Sequence, residues 1–397
     1  MPDHTTTPPR SLMTQLSHVG RHGTKIRGFV NPAVHRGSTM LHKDMVDRAA
    51  GSGDRLKQAF AYGVEGNTTH HMLENVVAAI EGGTRCQVVS SGLAAVTTPL
   101  LAFLSAGDHC LLSDSVYGPT RSFCNGMLTR LGIEVTFFDP GIDAAGIEAL
   151  FRPNTRVLYL ESPGSHSFEI QDVPALSAVA HARGATVMMD NTWGVHFFQP
   201  FRHGVDVSIQ ALTKYVAGHS DVLLGGITVN TDKDWERLRT GALELGQYAS
   251  PDDCWLALRG ARTLGVRLQR QMASGIELAQ WFAARPEVAQ VLHPALPGAP
   301  GHEIWKRDFT GAPSLFGVVF RAEVTAAALH GMVDALTLFG IGASWGGFES
   351  LALPSGKLTR SAATAGFTGP ACRFHIGLED PADLIADLEQ AFTALQG

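Results

Sequence analysis

The strongest constraint on the fold of this 397-residue chain is a regular alternation of two kinds of segment between residues 68 and 229. Short apolar runs, such as residues 156–160 (RVLYL) and 186–190 (TVMMD), alternate with stretches that have helical spacing. Runs that are apolar throughout predict strands buried on both faces, and the helices between them supply the crossovers that parallel strands need. The alternation therefore predicts an α/β fold with a mostly parallel central sheet, covered on both faces by helices.

The pattern changes in the second half of the chain. Residues 235–283 read as helical without a strand signal, and beyond residue 285 strands at 315–320 and 372–376 mix with helices at 326–339 and 381–395. This predicts a smaller C-terminal α+β domain. We divide the chain into an extended N-terminal segment that reaches a neighbouring subunit (residues 1–66), a large α/β domain (67–262) and the C-terminal domain (263–397). Residues 1–10 are expected to be a disordered tail.

Composition excludes several classes of partner. The net charge is −6 with a pI near 6.3, and no dense cluster of Lys and Arg is present, so we expect no nucleic acid partner. No stretch approaches the roughly 18 apolar residues of a membrane span, so we expect no membrane partner. The N-terminus lacks the apolar core of a signal peptide, and the five cysteines form no C-x-x-C pair. These features indicate a cytoplasmic protein without a disulfide framework.

One pattern resembles a metal site and is rejected. His71 and Glu74 share one face of a predicted helix, but a third ligand at a diagnostic spacing is missing. We therefore expect no metal ion.

Two polar residues follow neighbouring apolar runs in the predicted sheet. Lys214 comes shortly after the run 205–212, and Asp190 ends the run 186–190. Alone, each has an ordinary interpretation: a lysine with its head in solvent, and an aspartate that caps the next segment. Ligands of parallel sheets bind at the carboxyl ends of strands, where burial favours a neutral, nucleophilic amine. Pyridoxal phosphate (PLP) is typically bound by an amine that forms a Schiff base with it and by a carboxylate that pairs with its ring nitrogen.

Other segments suit the remaining parts of such a ligand. Residues 90–95 (SSGLAA) join a predicted strand to a helix. Small residues followed by the free N–H groups of a helix start can bind a phosphate. The hydroxyl of Thr213 could make one more contact with that phosphate. Tyr117, after a predicted strand, could stack on a flat ring. Arg373, inside a predicted strand, has the fork geometry for an amino acid carboxylate, and the loop that contains Ser344 and Trp345 could line the same pocket.

From about residue 31 to its end, the chain resembles the PLP-dependent cysteine and methionine metabolism (transsulfuration) enzymes of fold type I, the fold of aspartate aminotransferase. Within that family the resemblance is strongest to the bacterial cystathionine β-lyases. It is carried by ordered segments that include SSGLAA (90–95), YGPT (117–120), LESPG (160–164), DNTW (190–193), SIQALTKY (208–215), SWGGFES (344–350) and RFHIGLED (373–380).

The resemblance implies a role for each candidate residue. Lys214 would hold PLP as a Schiff base, Asp190 would pair with the ring nitrogen and Tyr117 would stack on the ring. The remaining cofactor contacts would come from Ser91, Gly92, Leu93 and Thr213. The α-carboxylate of the substrate would be bound by Arg373, with Ser344 and Trp345 nearby. Tyr62 would act in the site of an adjacent subunit, so a dimer is implied, and a tetramer is usual in the family.

The resemblance also implies an activity, αβ-elimination of L-cystathionine or a related cysteine S-conjugate to a thiol such as homocysteine, pyruvate and ammonia. The segment YGPT at 117–120 differs from the YGGT and YGCT of γ-acting relatives. Three alternatives stay open: a γ-acting relative, a cysteine-conjugate lyase of a specialised pathway, and a non-catalytic binding protein with this fold. The last is motivated by Val64, which stands where most of the family has an arginine that binds the cofactor phosphate across the dimer.

Overall fold

A computed structural model describes residues 10–21, 29–52, 56, 61–363 and 366–396. Its helices are α1 (Leu12–His18), α2 (Met45–Ser52), α3 (Thr68–Glu81), α4 (Gly92–Phe103), α5 (Gly118–Phe123), α6 (Ala144–Leu150), α7 (Val173–Ala182), α8 (Asp232–Glu244), α9 (Pro251–Ala261), α10 (Leu264–Ala283), α11 (His302–Asp308), α12 (Ala326–Asp334) and α13 (Pro381–Ala391). The expected disordered tail lies, apart from Arg10, outside the described residues.

A seven-stranded sheet organises the first part of the fold. Its strands are β1 (Arg85–Val89), β2 (His109–Ser113), β3 (Glu134–Phe138), β4 (Thr155–Glu161), β5 (Thr186–Asp190), β6 (Val207–Gln210) and β7 (Gly225–Val229). They lie in the order β1-β7-β6-β5-β4-β2-β3. Every residue of β2, β6 and β7 is buried, as the uninterrupted apolar runs predict for a sheet covered on both faces.

The direction of the strands decides which loops meet at one edge. Strands β2 to β6 pair in parallel, and β7 is antiparallel to both β1 and β6. Because β7 opposes both of its neighbours, β1 runs in the same direction as β6. The carboxyl ends of β1, β4, β5 and β6 therefore lie at the same edge of the sheet. The prediction of a mostly parallel sheet is confirmed. Strand β7 departs from it because the connection from β6 contains no helix of the length that a parallel crossover needs.

A second, four-stranded sheet follows later in the chain. Its strands β8 (Val288–Leu292), β9 (Leu315–Phe320), β10 (Leu351–Ser355) and β11 (Ala371–His375) pair antiparallel in the order β10-β11-β9-β8. One face packs on α10, α12 and α13 through a buried apolar cluster that includes Phe282, Phe316 and Phe374. The α+β character predicted for the C-terminal region matches this sheet and its helices. The two boundaries between the three predicted domains stay predictions.

The elements predicted from the sequence lie within a few residues of the observed ones, and β2, β3, β5 and β9 have the predicted bounds. The sequence analysis missed α1, α2, β8, β10 and α11. Within the described ranges, no helix combines the length and the apolar character that a membrane span requires.

Candidate active site

A cavity of about 290 Å³ opens at the carboxyl edge of the large sheet, below the loop that precedes β10. Nine of the residues singled out from the sequence line it: Ser91, Gly92, Leu93, Tyr117, Asp190, Thr213, Lys214, Trp345 and Arg373. They come from segments that lie far apart in the chain, and the topology described above brings them to one place. Such convergence of polar groups in one cleft is the usual mark of a ligand site.

Lys214 lies in the turn that follows β6, four residues beyond the end of that strand, and is half-buried. Its Nζ donates a hydrogen bond of 2.7 Å to Ser344 Oγ and lies 5.2 Å from the centre of the Trp345 ring. Burial, and then the positive charge of Arg373, lowers the pKa of Lys214 to about 8, although Asp190 opposes the shift. The amine is thus partly neutral near physiological pH, as an amine nucleophile requires.

Asp190 is the last residue of β5 and presents a carboxyl group to the cavity. Burial raises the pKa of this carboxyl, whereas the hydroxyl and N–H of Thr192 lower it; the N–H lies 2.9 Å from Oδ1. The Thr192 hydroxyl also accepts the N–H of Ala211, at 2.9 Å, which ties the loop after β5 to the loop after β6. A half-buried carboxyl group without a cation on its own loop suits a protonated ring nitrogen as its partner.

The start of helix α4 forms the opposite end of the cavity. Ser91 caps the helix by accepting the N–H of Ala94 at 3.1 Å, and the N–H groups of Gly92 and Leu93 have no acceptor within the helix. A Cβ on Gly92 would lie 2.7 Å from Cβ of Ala211, so no larger residue fits between these loops. This is the geometry of an anion cradle at a helix N-terminus.

Thr213 lines this end of the cavity, but its hydroxyl already has partners. Oγ1 donates to the carbonyl of Leu224 at 3.1 Å and accepts the N–H of Leu224 at 2.9 Å. The hydroxyl proton is therefore directed away from an anion in this structure. Its predicted contact with the cofactor stays a prediction.

Tyr117 lines the cavity at the start of α5, and it is 46% exposed. The backbone N–H of Tyr117 donates to Oε2 of Glu161 at 2.7 Å. Glu161 ends β4 as Asp190 ends β5, and burial, followed by the charge of Asp190, raises its pKa well above the usual range. The sequence analysis assigned Glu161 no role, although its position after an apolar run carries the same signal as that of Asp190.

Arg373 projects from the centre of β11 and is only 8% exposed. Its Nη2 donates to the carbonyl groups of Ala343 and Ser344, at 2.9 and 3.2 Å. Among the described residues, no acceptor is within hydrogen-bonding distance of Nε or Nη1, so these groups are free for a carboxylate. The structure thus places Arg373, Ser344 and Trp345 beside Lys214, as predicted.

Tyr62 is the predicted site residue that the structure does not bring to the cavity. Its side chain is 53% exposed, and its backbone pairs with that of Thr39. Val64 lies two residues further on, in the short 3₁₀ helix Gly63–Glu65. Neither residue lines the cavity of its own chain. Their predicted roles in a neighbouring subunit's site stay predictions.

The donor set fits PLP group by group. A half-buried amine with a lowered pKa suits the aldehyde, a half-buried carboxyl at a strand end suits the ring nitrogen, and the start of α4 suits the phosphate. Fold and site together define a PLP-dependent enzyme of fold type I.

Comparisons with known proteins narrow this class to one family. Residues 13–393 match the model of the Cys/Met metabolism PLP-dependent enzymes, and the chain belongs to that family. It is 43% identical to a cystathionine beta-lyase of Bordetella avium over 91% of this chain and 90% of the relative. It is 40% identical to cystathionine beta-lyase MetC of Escherichia coli over 97% and 99%. The crystal structure of metB from Corynebacterium glutamicum superposes with a TM-score of 0.88 at 29% identity, covering 97% and 98% of the two chains.

Proposed function

We propose that this PLP-dependent enzyme is a carbon–sulfur lyase that cleaves L-cystathionine by αβ-elimination. The observation that carries the proposal is the meeting of Lys214, Asp190 and Arg373 in one cavity, in a chain 40% identical to a cystathionine beta-lyase over nearly its full length. The products are homocysteine, pyruvate and ammonia. PLP, when bound, supplies the electron sink that stabilises negative charge at the α-carbon of the substrate.

Lys214 is the base in this proposal. Its free Nζ would remove the proton from the α-carbon of a substrate held in the cavity. A pKa of about 8 leaves part of the amine unprotonated at neutral pH. The Cβ–S bond then breaks, with its electron pair leaving on sulfur, and the thiolate takes up a proton. Water hydrolyses the released unsaturated amine to pyruvate and ammonia.

The other residues hold the reacting groups in place. Arg373 binds the α-carboxylate through Nε and Nη1, and Ser344 orients Nζ through the hydrogen bond of 2.7 Å. Tyr117 would stack on the cofactor ring. Burial raises the pKa of its hydroxyl, so the hydroxyl stays protonated and could donate to the leaving sulfur. Ser91, Gly92 and Leu93 would receive the phosphate at the start of α4, and Asp190 would pair with the ring nitrogen.

We further propose that the enzyme works in the cytoplasm as a homo-oligomer. It would be at least a dimer, and a tetramer is usual in the family. The exposure of Tyr62 supports this, because an aromatic residue with a predicted catalytic role lies away from its own cavity. In the proposed dimer, Tyr62 completes the site of the neighbouring subunit.

Product analysis tests the reaction. With L-cystathionine, the wild-type enzyme should release pyruvate, whereas α-ketobutyrate as the main keto acid would show γ-elimination and overturn the proposal. A panel of β- and γ-thio amino acids then ranks the substrates.

A Lys214→Ala variant tests the role of the lysine. It should lose the visible absorbance of the lysine-bound cofactor and at least about 10³-fold of its activity, since it lacks both the cofactor attachment and the base. A surface control, Lys306→Ala, should behave as wild type. Wild-type protein purified with PLP that shows no visible band would argue for the non-catalytic alternative.

A further inference from the structure

His166 lies in the wall of the active-site cavity, in the loop that follows β4. Its backbone has φ of 63°, a left-handed conformation that costs free energy for any residue other than glycine. Phe168, two residues on, has φ of 58°. Such strain persists only where the surrounding structure enforces it, and it concentrates at binding and catalytic positions.

The hydrogen bonds of this loop fix its conformation. The N–H of Ser165 donates to the carbonyl of Ser115 at 2.7 Å, and the N–H of Phe168 donates to the carbonyl of Gly164 at 2.9 Å. The N–H of Gly164 donates in turn to the carbonyl of Glu169 at 2.9 Å. The imidazole of His166 is therefore held in the cavity wall by backbone contacts on both sides.

The surroundings of the ring determine what it can bind. Nδ1 lies 3.4 Å from the hydroxyl of Ser355. Burial, and then the charge of Arg373, lowers the pKa of His166 to about 4, so the ring is neutral at physiological pH. A neutral imidazole has one donor and one acceptor nitrogen. If the Ser355 hydroxyl donates to Nδ1, the proton of the ring is on Nε2, for which the described residues offer no acceptor.

His166 and Arg373 line the same cavity. Ser355, which contacts the His166 ring, lies on β10, and β10 pairs with the strand that carries Arg373. A carboxylate bound by Nε and Nη1 of Arg373 keeps lone pairs that can accept a further hydrogen bond, and the ring of His166 offers a donor from the wall of the same cavity. We propose that His166 is a second ligand of the substrate α-carboxylate, donating from Nε2 while Arg373 supplies the charge. The inference rests on the proposed function in that it takes an amino acid as the substrate of this site.

Two variants distinguish the loss of the Nε2 hydrogen bond from an effect on the strained backbone. Asparagine tolerates the left-handed conformation but is too short to reach the position of Nε2, whereas the amide of glutamine reaches further. The probe is glycine, an amino acid with an α-carboxylate and no β-carbon to eliminate, titrated into the holoenzyme while the visible band of the cofactor is recorded. Methylamine, which lacks the carboxylate, is titrated in parallel as the control ligand.

We expect His166→Asn to raise the dissociation constant of glycine about tenfold, because a hydrogen bond to a charged group contributes at least the free energy of a tenfold change in affinity. The dissociation constant of His166→Gln should stay within about threefold of the wild-type value. Methylamine should bind all three proteins alike. Equal glycine binding by wild type and His166→Asn, or equal weakening of glycine and methylamine, would overturn the proposal. Pyruvate release is measured separately, so a failure of the proposed lyase activity leaves the glycine result interpretable.

Discussion

At the scale of single residues, the site depends on one amine whose surroundings favour its neutral form. Lys214 contacts Ser344 and Trp345 and shares the cavity with Arg373. Burial is the larger cause of its lowered pKa and the guanidinium is the second. Arg373 therefore has two consequences: it offers donors to a carboxylate, and it keeps the neighbouring lysine reactive.

Replacing Arg373 should reveal the second consequence. In Arg373→Met the pKa of Lys214 should rise above about 8 because a nearby positive charge is removed. Only the neutral amine attacks an aldehyde, so the rate at which apoenzyme binds PLP covalently should reach its plateau at a higher pH than in wild type. Stopped-flow absorbance across pH measures the midpoint. The control is Arg130→Met, an exposed surface arginine. An unchanged midpoint in Arg373→Met would contradict the electrostatic explanation.

Val64 provides a second prediction at this scale. If residue 64 of one subunit faces the phosphate of another, Val64→Arg adds a charged hydrogen bond and should lower the dissociation constant of PLP by about 10- to 100-fold. Equilibrium dialysis measures this constant. Val64→Leu is the matched control for size without charge. Equal affinities in the two variants would place residue 64 away from the phosphate.

At the scale of elements, three segments meet behind Asp190 around a buried carboxyl. Glu81, the last residue of α3, accepts hydrogen bonds from Ser208 at 2.5 Å, Asn191 at 3.0 Å and Gln210 at 2.7 Å. The amide of Gln210 also donates to the carbonyl of Asn191 at 2.8 Å. This cluster joins the end of α3 to β6 and to the residue that follows Asp190.

The cluster predicts a pH-dependent stability. Burial raises the pKa of Glu81 to about 7, so between its usual value and 7 the folded chain keeps a proton that the unfolded chain loses. Stability should therefore fall as pH rises through this range, by up to about 3 kcal/mol. Glu81→Gln carries no such proton. Its stability relative to wild type should improve between about pH 5 and about pH 8. Thermal unfolding midpoints at both pH values test this, and a constant difference would contradict it.

The elements also show how far sequence reasoning reaches. Strands β2, β3, β5 and β9 were predictable because each is a short apolar run between helices or turns. Strands β8 and β10 were not, because they are the two edges of the second sheet: β8 exposes its central residues and β10 contains Pro354, which edges tolerate.

The same reasoning explains which site residues were found. Asp190 and Lys214 follow apolar runs, and the carboxyl ends of parallel strands lie at one edge, so their meeting could be inferred. The loop that contains Ser344 and Trp345 was also expected to line the pocket, and the resemblance placed both residues near the substrate carboxylate. His166 could not be identified, because a left-handed backbone that turns a histidine into the cavity leaves no pattern in the residue types around it.

At the scale of the whole molecule, each sheet supplies a different part of the site. The large sheet and its loops supply Lys214, Asp190 and the start of α4, and the second sheet supplies Arg373 and the loop with Ser344. Tyr62 would come from a third source, a second copy of the chain. Activity should therefore depend on assembly.

Subunit mixing tests this dependence. Lys214→Ala and Tyr62→Phe should each be impaired as homo-oligomers. After unfolding and refolding together, a mixed dimer has one site with both defects and one site with neither. Activity should rise above that of both parents, towards about a quarter of wild type for random pairing into dimers. No recovery in a mixture shown to contain hetero-oligomers would place Tyr62 and Lys214 in the site of the same chain.

The glycine at position 346 limits how this active site can evolve. Gly346 has φ of +87°, and a Cβ there would lie 2.8 Å from the Tyr215 nitrogen and 2.9 Å from the Lys214 carbonyl carbon. Because these are backbone atoms, no second substitution at 214 or 215 could make room for it. A library that seeks new sulfur substrates should therefore leave position 346 unchanged and randomise Ser344, Trp345 and the exposed Phe348. Substitutions can thus be explored on both sides of Gly346, whereas Gly346 itself accepts no side chain.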